Sequence, residues 1–193
     1  MKIVCISDTH IQHKQLGILP MADVLVHCGD VTLRDTKEEV MDFMQWFCSQ
    51  PHKYKVLVWG NHDDCMYGNE ISGISNNTYL LNGNSVVIEG KKFYGIPMLN
   101  EYALNGQYDK MIDSIPQDTD VLVTHEPPYG ILAGGGGDLK LLKQVNIVRP
   151  KLHLFGHAHE IYGVEEHNGI RFVNSCLVNN KYDIIHEPIQ VKM

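Results

Sequence analysis

The chain lacks any close pair of cysteines. Its 5 cysteines are odd in number and scattered, at Cys5, Cys28, Cys48, Cys65 and Cys176, with no Cys-x-x-Cys among them. That excludes a disulfide framework and points to a reducing compartment, the cytoplasm. Cys5 and Cys28 fall inside apolar runs and read as small buried hydrophobes. Long apolar stretches are also missing: none reaches the roughly 18 residues that a membrane-spanning helix needs. Met1-Lys2 leads straight into Ile3-Val4-Cys5-Ile6, with no signal-peptide core or cleavage site. Positive charge is scarce, 16 Lys and Arg against 23 Asp and Glu, for a net charge of -7. This balance argues against a general nucleic-acid groove and against an extended nucleic-acid partner. A small nucleotide or other phosphate ester stays open, because bound cations would supply local positive charge. Repeats and low-complexity segments are absent. What remains, 193 residues with 44% hydrophobic and 20% charged, fits a single domain over 1–193 with a real core.

Short β-branched runs recur along the chain: Ile3 to Ile6, Val24 to Val26, Lys55 to Trp59, Val121 to Val123 and Leu152 to Phe155. Each is apolar on both faces, as expected of interior strands covered on two sides. A hairpin is predicted from Ser85–Glu89 and Lys91–Ile96, and a second from Tyr162–Glu166 and Ile170–Val173 around His167-Asn168-Gly169. Ile184-Ile185-His186 and Ile189-Gln190-Val191 are expected to close a sheet. Thr36-Lys37-Glu38-Glu39 reads as a capping box opening a helix through Val40, Phe43, Met44 and Phe47 that ends near Gln50-Pro51. Further helices are expected from Asp138 to Arg149-Pro150 and, more weakly, over Gln107–Ile115. Cys65 to Asn77 reads as a surface loop near the site. Many strands and few helices in one domain suggest two packed sheets flanked by helices.

Five blocks stand at the ends of those runs: Asp8-Thr9-His10, Gly29-Asp30, Gly60-Asn61-His62-Asp63, Thr124-His125 and Gly156-His157-Ala158-His159. Gathered at one sheet edge, their side chains form an oxygen and nitrogen ligand set for two divalent metal ions. Asp8 and His10 stand two apart, so an extended strand end would aim both at one ion, and His157 and His159 share that spacing. Asp30 is a carboxylate able to bridge two cations. Asn61 offers a carbonyl oxygen and His125 an imidazole nitrogen. His62, beside a ligand, is free to move a proton. Two ions about 3.5–4 Å apart would hold a hydroxide and polarise a phosphoryl group.

The order Asp-x-His, Gly-Asp, Gly-Asn-His-Asp, His, Gly-His-x-His resembles that of the calcineurin-like metallophosphoesterases, over almost the whole chain. His27 to Thr32, Thr124 to Gly130, Arg149 to His157 and Glu160 to Gly163 resemble more narrowly the small metallophosphodiesterase-domain subgroup known from brain. The resemblance implies an α/β fold, a four-layer αββα sandwich of two mainly mixed β-sheets flanked by helices, with the metal site at the strand ends. It implies that Asp8, His10 and His159 hold one metal, that Asn61, His125 and His157 hold the other, and that Asp30 bridges. Some animal members of the subgroup carry Gly at the position of His157; this chain keeps the histidine.

The implied reaction is phosphodiester hydrolysis of a small, nucleotide-like substrate by attack of a metal-bridging hydroxide, with His62 as general acid. Manganese is the expected metal, with iron or zinc equally compatible with the donor set. Arg34 falls where larger phosphatases of the superfamily place a phosphate-binding arginine, so Arg34 and Asn61 are the candidate substrate ligands. Leu33 replaces the carboxylate that orients the catalytic histidine in those enzymes. That departure favours a phosphodiesterase and leaves Asp63 or Asp35 to orient His62. A phosphomonoesterase is the competing enzyme, and a slow nucleotide-binding module the competing non-enzyme. Specificity is assigned to the loops Cys65–Asn77, Met98–Gln107 and Tyr129–Gly137, with Tyr67, Tyr102 and Tyr129 as candidate base-stacking rings. Oligomeric state is left open.

Overall fold

Alternation along each strand divides the apolar residues between two faces, and that division builds the layers. The computed structural model describes residues 1–193. One sheet contains β1 (Lys2–Ile6), β2 (Val24–His27), β3 (Tyr54–Leu57), β4 (Thr78–Leu80) and β11 (Ile189–Lys192). The other contains β5 (Asn84–Ile88), β6 (Lys91–Ile96), β7 (Val121–Thr124), β8 (Leu152–Phe155), β9 (Gly163–His167) and β10 (Ile170–Asn174). Strand orders are β11-β1-β2-β3-β4 and β5-β6-β7-β8-β10-β9. The central pairs are parallel, and the antiparallel pairs β1/β11, β5/β6 and β10/β9 lie at the sheet edges. Both sheets are therefore mixed.

Ile3 and Cys5 of β1, Val24 and Val26 of β2, Val121 and Val123 of β7 and Leu152 and Leu154 of β8 share one buried cluster between the sheets. Their alternate neighbours Val4, Ile6, Leu25, Leu122 and Phe155 belong to a second cluster with the helices. Helix α1 (Lys37–Ser49) adds Val40, Phe43, Met44 and Phe47 to it. Helices α2 (Asn100–Leu104), α3 (Gln107–Asp113) and α4 (Leu139–Val148) add Tyr102, Tyr108, Ile112, Leu141, Val145 and Val148. The layers run αββα, as the resemblance implied.

Several local expectations change. The capping box is only half formed: the Thr36 hydroxyl accepts from Glu39 N–H at 3.3 Å. The Glu39 carboxylate turns away and accepts from the N–H groups of Leu33 and Arg34 at 2.9 and 2.8 Å. It therefore braces the loop after β2 instead of closing the cap. Ile184 to His186 forms no strand, only a bridge between Ile184 and Val178. The second hairpin turns on Asn168-Gly169 alone, both at positive φ, with His167 still paired to Ile170. The body of the 65–77 loop packs on α1, where Ile71 to Ile74 face Met41, Met44 and Cys48 across a cleft.

Candidate metal centre

The carboxyl ends of β1, β2 and β3 point the same way because these strands are parallel, and β7 and β8 are parallel in the facing sheet. The segments that follow them carry the five blocks. Cross-connections tie these segments together. Asp8 N–H donates to Gly29 O at 2.9 Å, His10 N–H to Asp30 O at 3.1 Å and Gly156 N–H to His125 O at 3.2 Å. His157 N–H reaches across the sheets to the Asp8 carboxylate at 3.0 Å.

The convergence does not come from extended strand ends. Asp8 (φ 56), His10 (φ 38), Asp30 (φ 58) and His157 (φ 65) all lie in the left-handed region, as does Ile11 (φ 61). Such conformations are uncommon for residues with side chains, though Asp and His adopt them more readily than most, and they cluster at functional sites. Here left-handed turns, not strand alternation, bring Asp8 and His10 together. His157 and His159 likewise part company: ligand atoms of Asp8, His10, Asp30 and His159 lie within 4.8 Å of one another, and His157 instead gathers with Asp30 and His125. Asp30 is common to the two groups. Asn61 joins the second, its Oδ1 3.0 Å from His125 Nε2.

All three glycines of the blocks are required by close approach: a Cβ on Gly29, itself at φ 102, would meet His125 Nδ1 and the Gly60 backbone. A Cβ on Gly60 would collide with the Asp30 carboxylate, and one on Gly156 with Ser7 Oγ and the Asp8 carboxylate.

The ring nitrogens show which atoms face inward. His10 Nδ1 is bonded to Thr32 O and His125 Nδ1 to Cys28 O, both at 2.8 Å. Their Nε2 atoms then face Asp30, at 3.7 and 3.4 Å. His10 Nε2 is buried with no hydrogen-bond partner. A buried nitrogen left bare among carboxylates, in a set of Asp, Asn and His donors, suits divalent cations. Burial alone raises Asp8 and Asp30, yet the surrounding histidines override it and hold both carboxyls below the ordinary range. Burial alone lowers His125, but Asp30, Asp8 and the Cys28 carbonyl raise it to about 10. His157 is pushed down to about 4 by burial and by the charge of His125.

Neither expected carboxylate orients His62. Asp63 is fully buried and accepts from the backbone N–H groups of Gly60, Asp30, Val31 and Thr32 at 2.9 to 3.1 Å. Asp35 accepts from Cys65 N–H at 2.6 Å. His62 is instead fixed through its main chain: its N–H donates to Asp30 Oδ1 at 2.9 Å and its carbonyl accepts from the Thr32 hydroxyl. Its ring packs edge-on to His10, centroids 4.9 Å apart, and makes no hydrogen bond. Arg34 is exposed on the braced loop, its guanidinium unpaired. Tyr102 is no open stacking face, since it is buried and its hydroxyl accepts from Asn82. Tyr67 packs edge-on to Tyr102 at 5.4 Å, while Tyr129 is exposed.

One ring at the site escaped the sequence reading. Tyr182 packs edge-on to His10 at 4.6 Å and His159 at 5.5 Å, and lies 6.1 Å from His62. It is held at φ 63 by a turn built on Asn179, and Gln12 Nε2 donates to its carbonyl at 2.5 Å. A bulky side chain in that conformation is an outlier. Nothing within 170 residues of Gln12 along the chain announces the contact.

Comparison with known proteins accords with this geometry. A model of the calcineurin-like phosphoesterase family matches residues 1–160. A UPF0046 protein of Caenorhabditis elegans is 34% identical over 216 residues, covering 98% of this chain and 74% of its own. Human metallophosphoesterase domain-containing protein 1 is 29% identical over 231 residues, covering 100% and 71%. Among solved structures, the phosphopantetheinyl hydrolase of Mycobacterium tuberculosis superposes with a TM-score of 0.66 at 12% identity, covering 94% of this chain and 90% of that one. The TT1561 protein of Thermus thermophilus gives 0.66 at 14% identity, covering 92% and 89%. At such low identity the likeness is one of fold.

Proposed function

Because the chain belongs to the calcineurin-like phosphoesterase family, a family of metal-dependent phosphoester hydrolases, we propose that it is a dinuclear phosphodiesterase acting on a small, nucleotide-like diester. The observation that carries the reading is the pair of ligand clusters sharing Asp30, with His62 against one of them. Asp8, His10 and His159 would hold one ion, Asn61, His125 and His157 the other, and Asp30 both. Divalent ions there would supply Lewis acidity toward the phosphoryl group and an ionised water at neutral pH. Manganese is the proposed metal.

The protein's own groups have defined tasks. His62 donates a proton to the departing alkoxide oxygen. Its main-chain anchors keep it at the cluster, and its unbonded ring nitrogens leave it free to do so. Arg34, unpaired on a braced loop, is the group proposed to meet the substrate phosphate, together with Asn61. Asp63 holds the Asp30 loop rather than moving protons. Leu33 in place of a histidine-orienting carboxylate supports a diester over a monoester, whose reaction the larger phosphatases carry out with that carboxylate. No helix is long and apolar enough to cross a membrane; the scattered free thiols support a cytoplasmic setting.

The test is hydrolysis of bis(p-nitrophenyl) phosphate against p-nitrophenyl phosphate, with Mn²⁺-loaded and chelator-stripped protein. Metal-dependent turnover favouring the diester is expected. Preference for the monoester would give the site to a phosphomonoesterase. Two bound ions with no turnover on either ester would favour a nucleotide-binding module.

A further inference from the structure

Glu126 follows a site histidine in sequence, yet the ligand clusters do not include it. Its Oε2 is buried and has no hydrogen-bond donor in bonding geometry. The ring nitrogen that faces it is His157 Nε2, 3.4 Å away, on an imidazole that burial keeps neutral. A buried carboxylate oxygen left in that state needs an explanation. The main chain around it is rigid. The Thr124 hydroxyl donates to Glu126 O at 2.7 Å, Pro127-Pro128 follow, and Gly156 N–H donates to His125 O. The last bond ties the Glu126 segment to the loop that presents His157.

The other rings supply the rule. His10 and His125 each commit Nδ1 to a backbone carbonyl and turn Nε2 inward. His157 has no carbonyl partner for either nitrogen; its Nε2 instead faces a carboxylate. Resting on the metal-centre reading above, we propose that Glu126 is the positioning residue for His157: it accepts the Nε2–H, fixes the tautomer, and leaves Nδ1 as the ligating atom. The pair stands at 3.4 Å but out of line, so the bond forms on a ring rotation that aims Nε2–H at Oε2. The consequence is chemical as well as geometric. A carboxylate acceptor raises the basicity of the imidazole more than a carbonyl does, and such outer partners typically contribute about 10–100-fold to metal affinity. The ion held by Asn61, His125 and His157 is the one that Glu126 supports.

The experiment is titration of the metal-free protein with Mn²⁺ alone, reading free ion by electron paramagnetic resonance, for wild type, Glu126→Gln and Glu126→Ala. Wild type binds two ions. Glu126→Ala weakens one of the two by about 10–100-fold and leaves the other unchanged. Glu126→Gln, whose amide oxygen still accepts a hydrogen bond, falls between. In the Zn²⁺-loaded wild type, ¹⁵N NMR finds the His157 proton on Nε2. Unchanged affinity in Glu126→Ala, with normal circular dichroism, overturns the proposal. So does complete loss of one ion in Glu126→Gln, which would make the carboxylate a ligand. A wild type that binds one ion or none overturns the dinuclear reading itself, and this inference with it.

Discussion

His62 is held by its backbone and packed by His10, with no carboxylate behind its ring. Its proposed contribution as a proton donor therefore depends on how poor the leaving group is. General acid catalysis typically supplies about 10²–10⁴-fold. His62→Ala should lower kcat by that order on a diester with an alkyl leaving group and by much less on bis(p-nitrophenyl) phosphate, whose phenolate departs unaided. Equal losses on both substrates would remove His62 from that role. Asp63 offers a contrasting case. Its carboxylate satisfies four backbone N–H groups of the Asp30 and Asn61 loops, and burial together with the charge of Asp30 raises it to about 7. Asp63→Ala strands those donors, each costing about 1–3 kcal/mol when left buried and unpaired. A loss of several kcal/mol in denaturant unfolding is expected, with metal affinity falling alongside. Gly60→Ala should also reduce metal binding, because its Cβ would displace the Asp30 carboxylate. Calorimetric titration with Mn²⁺ checks it.

At the level of elements, α1 shows how a sequence signal can be right about place and wrong about wiring. The box at Thr36 marks the true start of the helix, and the apolar spacing marks the true buried face. Glu39 nevertheless braces Leu33 and Arg34, a job no helix rule assigns it. The two residues separate by experiment. Thr36→Ala removes a cap and should cost about 1 kcal/mol with activity intact. Glu39→Gln should spare stability but loosen the Arg34 loop, appearing as a raised KM with little change in kcat. Shorter elements left weaker traces. The three-residue β4 and five-residue α2 carry too few periodic positions to be seen. Ile184 to His186 had strand composition, but past its single bridge it meets no partner strand.

Across the whole molecule, two effects act on stability together. Asp8 and Asp30 are buried close to one another and to four site histidines, so ions that bind only the folded chain stabilise it by mass action, about 2.7 kcal/mol at a hundredfold excess over Kd. Chelation should lower Tm accordingly, and re-addition of Mn²⁺ should restore it. Acid acts elsewhere as well. His153 is fully buried, its Nδ1 has no partner, and burial pushes its pKa from 6.5 down to about 3. The unfolded chain takes up that proton first, so the contribution of His153 is fully present above about pH 6.5 and is lost as pH falls toward 3. Unfolding of metal-free protein at pH 7 and pH 5 should show a smaller drop in His153→Phe than in wild type.

Residue order alone marked which donor residues would stand at the strand ends. Strand-forming runs ended at Asp8, Asp30, Asn61, His125 and His157 because β-branched stretches stop where polar turn residues begin, and such signals are local. It also marked α1, α3, α4 and both hairpins, for the same reason. How these ends meet follows from the packed fold. The left-handed turns at Asp8, His10, Asp30 and His157 are held by bonds between distant segments, such as His157 N–H to Asp8, 149 residues apart. The parting of His157 from His159, the diversion of Asp63 to backbone donors, and the arrival of Tyr182 and Glu126 at the site rest on the same long-range bonds. No spacing along the chain encodes them, because each depends on segments that meet only when strands pair and the two sheets pack.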